Sequence, residues 1–566
     1  MGDILNEDQV RAVEYPGRYV LVNAGPGSGK TRVIIERVKR FLTLGIDPRD
    51  ILLLTFTNNA AKEMVERIDN QNILACTFHS YCYRVLREFL PPEKRPFSVI
   101  DEDDQTKLVK SILVSLDSTI NPDSISEYIS LRKSKGIPPS NSTKLMEVVY
   151  REYNRLCKKH NMYDFGELQL EALNYASLTN GRFKHILIDE YQDTDPVQWE
   201  FTKLISVGTE SMTVVCDEQQ SIYGWRGADI QNVLKYPEHF GADIITLRRN
   251  YRSTPEIVEI VNKVVNSATE KLCDKELYSE RPSGTRPKII TYNTDRDEAR
   301  DIVNMIARTG KPHECMILYR ANWMSRILEE ELTRQKIPYK ITDGVGFYRR
   351  REIKDIIAYL RLLYNPIDES AASRIVNVPA RGIGKVALVK LVEKYGSICE
   401  GIVKSSDPKV SSLRSLLTYL RDSNSTPSET IKNIINITNY EEYIQDQDRM
   451  DNIGSLISGA QVFGGSLEDY MMMITLLTDN TEPSEFTVRL MTVHGSKGTE
   501  ANNVFVIGLE QGILPHKAGE LEEERRLFYV AISRAKDNLV LSNSRRRWVF
   551  DRSISTSPSE FLDIIR

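Results

Sequence analysis

The chain has 566 residues, of which 41% are hydrophobic and 27% are charged, with a formal net charge of −4. Because a single hydrophobic core stops growing beyond about 250–300 residues, this length predicts three or four modules. No apolar run approaches the ~20 residues of a membrane-spanning helix, and the N-terminus carries acids where a signal peptide would be apolar. We therefore expect a soluble, cytoplasmic protein without a membrane partner.

The cysteines and the charge balance exclude further classes of site. The seven cysteines are scattered and form no Cys-x-x-Cys pair, so neither a zinc site nor an iron–sulfur cluster is predicted. Reduced, mostly buried thiols are the simpler interpretation. The acidic net charge gives no whole-chain sign of a nucleic-acid partner. Arginine triplets at 349–351 and 545–547 are local exceptions, but such triplets are more often solvated faces than binding sites.

Short apolar runs bounded by turn residues recur along the chain, with helix-like segments between them. Runs of this kind are typical of the buried strands of a parallel sheet. The first four lie in the first half and the other four come later, which predicts two α/β modules. The eight predicted strands begin at Tyr19, Ile51, His185, Thr213, Lys288, Cys315, Asn503 and Asn538.

Each α/β module is interrupted by a long stretch without convincing strands. A helical insertion explains each stretch better than a loop of ~100 residues, which is improbable in a compact protein. We therefore predict a first α/β module at 1–82 and 183–247 with a helical insertion at 83–182. The second module is predicted at 248–350 and 486–566, with a helical insertion at 351–485. The serine-rich stretch 553–559 is predicted to be a surface turn before the last helix.

A phosphate-binding loop is predicted directly after the first strand. Backbone N–H groups in a glycine-rich loop can surround phosphates, and the following helix N-terminus adds partial positive charge. The lysine would reach the β- and γ-phosphates of ATP, and the threonine would bind Mg²⁺. An alanine stands where the general pattern has its first glycine. The predicted nucleotide-binding residues are Ala24, Gly25, Pro26, Gly27, Ser28, Gly29, Lys30, Thr31 and Arg32.

Two acids end the apolar strand that begins at His185. Asp189 would hold the Mg²⁺ shell, while Glu190 would polarise the attacking water. The alternative is a pair of solvated acids at a strand end, which the wholly apolar strand and the accompanying loop disfavour. Together with Lys30 and Thr31, these acids predict a nucleoside triphosphatase.

Eight segments then form an ordered set along nearly the whole chain. They are Leu5-Asn-Glu-Asp-Gln9, Leu54-Thr-Phe-Thr-Asn58, Thr77-Phe-His-Ser80, Asp189-Glu-Tyr-Gln-Asp-Thr194, Asp217-Glu-Gln-Gln-Ser-Ile-Tyr-Gly-Trp-Arg-Gly227, Leu247-Arg-Arg-Asn-Tyr-Arg-Ser-Thr254, Leu490-Met-Thr-Val-His-Gly-Ser-Lys-Gly-Thr-Glu500 and Leu521-Glu-Glu-Glu-Arg-Arg-Leu-Phe-Tyr-Val-Ala-Ile-Ser-Arg-Ala535. This set resembles the motifs of the UvrD/Rep/PcrA group of superfamily 1 DNA helicases. The resemblance implies two RecA-like domains with parallel sheets, each carrying a mostly helical inserted domain.

The resemblance also implies roles around the nucleotide. Gln9 would read adenine, Tyr251 would stack on the base, and Glu500 would contact the ribose. Arg252 and Arg534, from the second RecA-like domain in the family, would act as arginine fingers. The γ-phosphate would be sensed by Gln220.

Residues that contact single-stranded DNA are implied in the same way. Stacking on aromatic side chains tolerates any base sequence, which a motor requires. Taken singly, each aromatic is more often part of a core. The turn that holds Trp225 between two glycines is the exception. The implied DNA contacts are Phe56, Thr57, His79, Tyr223, Trp225, Arg226 and His494, with Gly382 and Gly384 as duplex contacts or, equally, as a helix–turn–helix corner.

The leading hypothesis is an ATP-dependent 3′-to-5′ DNA helicase that acts on single-stranded DNA and at junctions with duplex. DNA repair, replication or recombination would be its setting, repair and replication proteins its candidate partners, and the nucleoid its location in a prokaryote. A translocase that strips proteins without processive unwinding is a close alternative. A P-loop nucleotide switch is a remote one, because it has no use for Arg252, Arg534, Tyr223 or Trp225.

The chain departs from the family's pattern in three places. It has Thr499-Glu500-Ala501 where relatives usually have Leu-Glu-Phe, which removes an apolar anchor. The second insertion is shorter than in the large bacterial members, so duplex handling is expected to differ. The chain also ends soon after the last motif, and we expect neither a nuclease domain nor a partner-binding tail.

Overall fold

The computed structural model describes residues 5–118, 120–342, 346–423, 425–479, 487–549 and 552–566. The strands are β1 (Tyr19–Ala24), β2 (Ile51–Thr55), β3 (Leu74–Thr77), β4 (Ser98–Val99), β5 (Met162–Tyr163), β6 (His185–Ile188), β7 (Ser211–Cys216), β8 (Asp243–Leu247), β9 (Lys288–Thr294), β10 (Cys315–Tyr319), β11 (Tyr339–Ile341), β12 (Val488–Thr492), β13 (Ala501–Val506), β14 (Ala535–Val549) and β15 (Arg552–Ser555).

Helices account for most of the remaining regular structure. They are α1 (Glu7–Glu14), α2 (Lys30–Thr43), α3 (Asn58–Ile68), α4 (Phe78–Phe89), α5 (Glu102–Ser115), α6 (Pro122–Ser134), α7 (Leu145–Lys159), α8 (Phe165–Ala176), α9 (Pro196–Ile205), α10 (Gln231–Leu234), α11 (Tyr236–Phe240), α12 (Pro255–Ser267), α13 (Asp295–Thr309), α14 (Ser325–Arg334), α15 (Arg351–Tyr364), α16 (Glu369–Ile375), α17 (Lys385–Tyr395), α18 (Ile398–Lys404), α19 (Pro408–Asp422), α20 (Pro427–Thr438), α21 (Tyr440–Ile444), α22 (Gln447–Phe463), α23 (Leu467–Asp479), α24 (Leu521–Ile532) and α25 (Glu560–Ile565). In the part of the chain that the structure describes, none is long and apolar enough to cross a membrane.

The chain forms two compact units. The first contains residues 1–285, 519–537 and 565, and the second contains residues 286–518, 538–564 and 566. Residues 248–285 and 519–537, which the sequence assigns to the second α/β module, therefore belong to the first unit. The four-domain division is finer than these two units and stays a prediction.

The first unit is built on a six-stranded sheet in the order β3-β2-β6-β7-β1-β8, in which all neighbouring strands are parallel. Both faces of the sheet are buried. Along β1, Val20 and Val22 join the hydrophobic cluster on one face, while Leu21 joins the cluster on the other. Burial on both faces explains why these strands have continuous apolar runs and no alternation. The predicted parallel α/β fold is confirmed here.

The second unit contains a seven-stranded sheet in the order β11-β12-β10-β13-β14-β15, with β9 paired to β14. The pairs β11–β12, β10–β12, β10–β13 and β9–β14 are parallel. The last strand differs, because β15 runs antiparallel to the end of β14. The prediction of a turn at 553–559 was wrong for Ser553–Ser555, since this hairpin supplies the strand with its backbone partners.

All eight predicted strands are confirmed within a few residues. The two stretches without convincing strands are mostly helical, as predicted. Residues 83–182 contain α5 to α8 with only two-residue strands between them, and residues 351–479 contain α15 to α23. Each stretch has a hydrophobic cluster of its own. All seven cysteines are free thiols, and six of them are buried.

The arginine triplets are not solvated faces throughout. The middle residue of each triplet is buried, Arg350 being 9% and Arg547 2% exposed. Arg547 forms ion pairs with Glu298 and Glu510, and Arg350 donates to Asn452 Oδ1 at 2.7 Å. Buried guanidinium groups need such partners. These two arginines therefore belong to the interior of the second unit and not to a solvated face.

A buried carboxylate at the start of α9 gives a pH-dependent prediction. Asp195 is the N-cap, and its side chain accepts from the Gln198 N–H at 2.8 Å. Burial raises the pKa of Asp195 from 3.8 to about 7. Because the folded pKa is raised, the stabilisation from protonation is present at low pH and is lost as the pH rises toward 7. Asp195→Asn keeps the cap without the charge.

We expect Asp195→Asn to increase the free energy of unfolding more at pH 8 than at pH 5, by about 3 kcal/mol. Thermal unfolding at both pH values would measure the difference as a shift in Tm. Asp101→Asn, the same change at the exposed N-cap of α5, is the control. An equal gain at both pH values would contradict the assignment of the buried charge to Asp195.

Candidate nucleotide and DNA sites

The predicted nucleotide-binding residues meet at one edge of the first sheet. The glycine-rich loop follows β1, Asp189 and Glu190 follow β6, and Asp217 follows β7. Since β6, β7 and β1 are parallel neighbours, their carboxyl ends lie at the same edge. This is where open α/β sheets bind ligands.

The loop needs glycine at two positions for steric reasons. Gly27 and Gly29 have φ angles of +65° and +86°, which L side chains rarely adopt. A Cβ on Gly27 would lie 2.6 Å from the Cβ of Arg252, and a Cβ on Gly29 would lie 2.8 Å from Nε2 of Gln9. The loop is thus packed directly against two of the other residues predicted to bind the nucleotide.

Three successive carbonyl groups of this loop are bound from outside it. Because these carbonyl oxygens accept hydrogen bonds from residues outside the loop, the loop's backbone conformation is fixed. They belong to Pro26, Gly27 and Ser28 and accept from Asn250 Nδ2 (2.8 Å), the Tyr251 N–H (2.9 Å) and Gln9 Nε2 (3.0 Å), respectively.

Lys30 stands at the start of α2 among carboxylates. Its Nζ lies 3.4 Å from Oε1 of Glu190. Burial lowers the pKa of Lys30, but the negative charges of Glu190, Asp217 and Asp189 outweigh burial and raise the pKa above its ordinary value. The lysine is therefore held as a cation, the form that binds phosphate.

Thr31 and Asp189 present adjacent oxygen ligands. The Thr31 hydroxyl donates to Oδ2 of Asp189 at 3.4 Å. Burial and the charge of Glu190 raise the pKa of Asp189, while Lys30 lowers it. A hydroxyl and a carboxylate beside a phosphate loop fit Mg²⁺, which takes few protein ligands and completes its shell with phosphate and water.

Glu190 is held in an unusual backbone conformation. Its φ is +50° and its ψ +44°, the left-handed region, which costs energy for a residue other than glycine and is one form of the backbone strain that clusters at functional sites. Its carboxylate accepts from Nε2 of Gln192, whose Oε1 accepts from the Asp217 N–H at 3.0 Å. Gln192 therefore connects the predicted base to the neighbouring strand end, a role that the sequence did not reveal.

Gln9 and Tyr251 lie together, as a base-binding pair requires. The Tyr251 hydroxyl lies 3.5 Å from Oε1 of Gln9 and accepts from Nδ2 of Asn6 at 2.8 Å. The ring is 38% exposed, and the guanidinium of Arg249 lies 4.7 Å from its centroid. Gln9 also completes the capping box of α1 with Asn6, so this residue has a structural role beside the predicted one.

Asn250 fixes Tyr251 and Arg252 relative to the loop. Its Oδ1 accepts from the N–H groups of Arg252 and Ser253, both at 2.8 Å, while its Nδ2 donates to the loop. The side chain is only 1% exposed. Sequence reasoning missed Asn250, although its place directly before two predicted site residues was the available signal.

The two predicted arginine fingers lie side by side in the first unit. Arg252 Nη1 donates to the Ser533 carbonyl at 3.0 Å, and Arg534 Nη2 lies 3.4 Å from Oε1 of Gln220. Burial lowers the pKa of Arg534 to about 9, and the positive charge of Arg252 acts in the same direction. A phosphate oxygen placed near this pair would offset both effects.

One face of α24 contacts the segment 217–224 along its length. Tyr529 donates to Oδ2 of Asp217 at 3.0 Å, and Arg526 Nε donates to the Ser221 carbonyl at 2.8 Å. Glu523 Oε1 accepts from the Gly224 N–H at 3.1 Å. Residues three apart lie on one face of a helix. A single rigid helix therefore spans from the nucleotide side of this segment to its aromatic turn.

An aromatic cluster lies at that turn. The rings of Phe56 and Tyr223 stack at 5.6 Å with an interplanar angle of 8°. Trp225 is 59% exposed, and the Arg226 guanidinium lies 4.8 Å from its ring centroid. A large exposed aromatic beside a cation can stack on bases. Nearby, Thr57 caps α3 by accepting from the Ala60 N–H, which is a structural use of that side chain.

His79 is bound by residues of the first helical insertion. Its Nε2 lies 2.5 Å from Nε2 of Gln169, and its ring meets that of Phe165 edge-on at 5.2 Å. Burial lowers the pKa of His79 to about 4, so the ring is neutral near pH 7. Phe165 is 43% exposed at the first turn of α8. Sequence reasoning missed it, because only the fold brings it to His79.

Four predicted site residues, Gly382, Gly384, His494 and Glu500, belong to the second unit. His494 follows β12, and Glu500 stands directly before β13 with its carbonyl accepting from Arg489 Nη2 at 2.7 Å. Gly382, with φ +70°, and Gly384 lie between α16 and α17, so the helix–turn–helix corner and the duplex contact both stay open. Thr499, at the departure from the family's pattern, donates to the Ser496 carbonyl at 2.7 Å.

Comparison with known proteins identifies the family. A model of the UvrD/REP helicase N-terminal domain matches residues 5–241, and one of the UvrD-like helicase C-terminal domain matches residues 245–407 and 390–546. The chain belongs to the UvrD/REP helicase family. It is an ATP-driven DNA helicase of the UvrD/Rep/PcrA type, and its α/β units are RecA-like.

Individual relatives align with nearly the whole of this chain. ATP-dependent DNA helicase PcrA of Staphylococcus epidermidis is 34% identical over 625 residues, covering 99% of this chain and 86% of the relative. ATP-dependent DNA helicase PcrA of Bacillus subtilis strain 168 is 34% identical over 634 residues, with 99% and 85% covered. DNA helicase II of Escherichia coli strain K12 is 31% identical over 627 residues, with 99% and 87% covered.

Proposed function

We propose that the helicase moves 3′-to-5′ along single-stranded DNA and separates strands at junctions with duplex, using ATP and Mg²⁺. The contact face of α24 carries this proposal. It joins Gln220 and Arg534, beside the phosphate loop, to the turn that bears Tyr223 and Trp225. A change at the γ-phosphate can thus reach the bases without passing through a flexible segment.

In the proposed reaction, Glu190 accepts the proton of the attacking water, and its bond to Gln192 and ion pair with Lys30 hold it in place. Lys30, Arg252 and Arg534 stabilise the negative charge that develops as the terminal phosphate leaves. Thr31 and Asp189 would hold Mg²⁺, which supplies further positive charge to the phosphates. Gln9 and Tyr251 bind the base, and Glu500 the ribose.

On the DNA, Trp225, Tyr223 and Phe56 stack on bases, while Arg226, Thr57, His79 and His494 contact the strand. Stacking contributes about 1–3 kcal/mol per base. Gly382 and Gly384 are proposed to approach duplex phosphates through their backbone N–H groups. We expect the enzyme to work in the cytoplasm, at the nucleoid in a prokaryote, with repair or replication proteins.

Duplexes with a 3′ or a 5′ single-stranded tail test polarity and unwinding together. We expect ATP-dependent strand separation with the 3′ tail and at least tenfold slower separation with the 5′ tail, a ratio roughly equal to 1.4 kcal/mol in barrier height. Lys30→Ala is the control and should separate neither. Preferential separation of the 5′-tailed substrate would contradict the polarity.

Two other outcomes favour the alternatives. If neither duplex separates but streptavidin is displaced from the biotinylated 5′ end of a single strand, the protein is a translocase that strips bound proteins. If single-stranded DNA leaves the rate of ATP hydrolysis unchanged, the motor proposal fails and a nucleotide switch is favoured.

A further inference from the structure

A fully buried lysine lies outside every motif that resembles the family. Lys275 stands in the irregular segment between α12 and β9 and is 0% exposed in its side chain. Its Nζ donates to Asn23 Oδ1 at 3.0 Å, to Asp217 Oδ1 at 3.0 Å and to Glu218 Oε2 at 3.2 Å. The three N–H donors of the ammonium group are thus matched by three acceptors.

These acceptors lie at the ends of two strands, β1 and β7, beside the predicted nucleotide site. Asn23 is in β1, directly before the phosphate loop, and Asp217 and Glu218 follow β7. Burial lowers the pKa of Lys275, but the two carboxylates outweigh it and raise the pKa above its ordinary value. A buried ammonium group is tolerated only when it is paired and hydrogen-bonded in this way.

Asp217, which is held by Lys275, in turn holds the side chain of Gln220. Its second oxygen, Oδ2, accepts from Gln220 Nε2 at 2.7 Å and from the Tyr529 hydroxyl at 3.0 Å. With its amide nitrogen held by Asp217, Gln220 turns its Oε1 toward Arg534, 3.4 Å from Nη2. The orientation of the Gln220 amide therefore depends on a charged Asp217.

The electrostatics of Asp217 point to the same lysine. Burial raises the pKa of Asp217, and Lys275 is the largest influence in the opposite direction, followed by Lys30. The net result is a pKa below the ordinary value, so the carboxyl group stays ionised and keeps accepting from Gln220 and Tyr529.

We infer that Lys275 and Asp217 are positioning residues for ATP hydrolysis, which hold the Gln220 amide with its oxygen toward Arg534. Neither residue is among those predicted to bind the nucleotide. This inference rests on the proposed roles of Gln220 and Arg534, and it goes beyond them in assigning a function to a lysine from a segment without a motif.

The experiment is a double-mutant cycle on ATP hydrolysis at saturating single-stranded DNA. We expect Lys275→Met to lower kcat about tenfold, which corresponds to 1.4 kcal/mol, with KM for ATP changed less than twofold. In a Gln220→Ala background, Lys275→Met should lower kcat less than twofold further, because the group that it positions is already gone. A purely structural lysine would lower kcat by the same factor in both backgrounds.

Lys133→Met is the matched control. Lys133 is also buried, 1% exposed in its side chain, and is also bound by two carboxylates, those of Asp164 and Glu167, but it is not bonded to Asp217 or Gln220. We expect its kcat at saturating DNA to stay within twofold of wild type. If Lys275→Met fails to fold, Asp217→Asn removes the charge of the same pair, leaves Lys275 paired with Glu218, and gives the same cycle.

The outcomes separate this inference from the proposed function. If wild-type hydrolysis does not respond to DNA, the motor proposal fails. If wild type responds and the losses from Lys275→Met and Gln220→Ala multiply, or if Lys275→Met has wild-type kcat, only the positioning role is overturned.

Discussion

Glu190→Gln is expected to lower ATP turnover by about 10²–10⁴-fold, the range that a general base contributes. The amide cannot accept the proton of the attacking water. Its shape is that of the carboxylate, and the left-handed backbone at this position is as tolerable for glutamine as for glutamate. ATP should still bind, because the phosphate loop and the pair formed by Gln9 and Tyr251 are untouched.

Single-turnover hydrolysis and equilibrium binding of ATP would measure these two effects separately. Glu200→Gln is a suitable control, since it makes the same change at a half-exposed position on α9, where the acid pairs with Lys203 at 2.6 Å. It should keep wild-type turnover. A Glu190→Gln enzyme that retains more than a tenth of wild-type turnover would show that another group takes the proton.

Trp225→Ala is expected to weaken the binding of single-stranded DNA by about 1–3 kcal/mol, or roughly 5- to 150-fold. The indole is the most exposed ring of the aromatic cluster and is backed by Arg226, so its removal takes away a stacking surface and leaves the core intact. Basal ATP hydrolysis should persist, because α24 and Gln220 keep their contacts. Stimulation by DNA should be lost at concentrations that saturate wild type.

DNA titrations followed both by binding and by ATPase rate would test this expectation. Trp225→Phe, which keeps an aromatic face, should recover most of the affinity. Trp199→Ala removes a tryptophan that packs on His239 and Phe240 in the same unit, and it should leave the stimulation unchanged. Equal loss of basal and stimulated hydrolysis in Trp225→Ala would mean that the ring is packing and not a platform.

Most strands that the sequence predicted have continuous apolar runs, and two of those that it missed, β8 and β12, have a physical reason. β8 lies at the edge of the first sheet and is half-exposed, so its residues, Asp243-Ile-Ile-Thr-Leu247, do not form a buried run. In the second sheet, β12 has Arg489 in its second position, where the guanidinium bonds to the Glu500 carbonyl. Tertiary contacts, and not local preference, make both segments strands.

Site residues could be predicted where residue type and spacing alone indicate the chemistry. They could not be predicted where the order of strands in the sheet determines which side chains meet. Lys30, Thr31, Asp189 and Glu190 could be recognised from spacing. Gln192 could not, because its partner across the site follows β7, and the sequence does not say that β6 and β7 are neighbours. Residues 519–537 lie in the first unit, although the sequence assigns them to the second module, because α24 packs with residues far from it along the chain.

The outward bonds of the phosphate loop have a thermodynamic consequence. Because three successive carbonyl groups are bound by Asn250, Tyr251 and Gln9, the loop loses its conformational entropy when the chain folds. The loop therefore loses little further conformational entropy when the nucleotide binds, and preorganisation of this kind favours affinity. Substitution of Asn250, whose amide donates to the Pro26 carbonyl, should therefore appear in calorimetry as a larger unfavourable entropy of ATP binding.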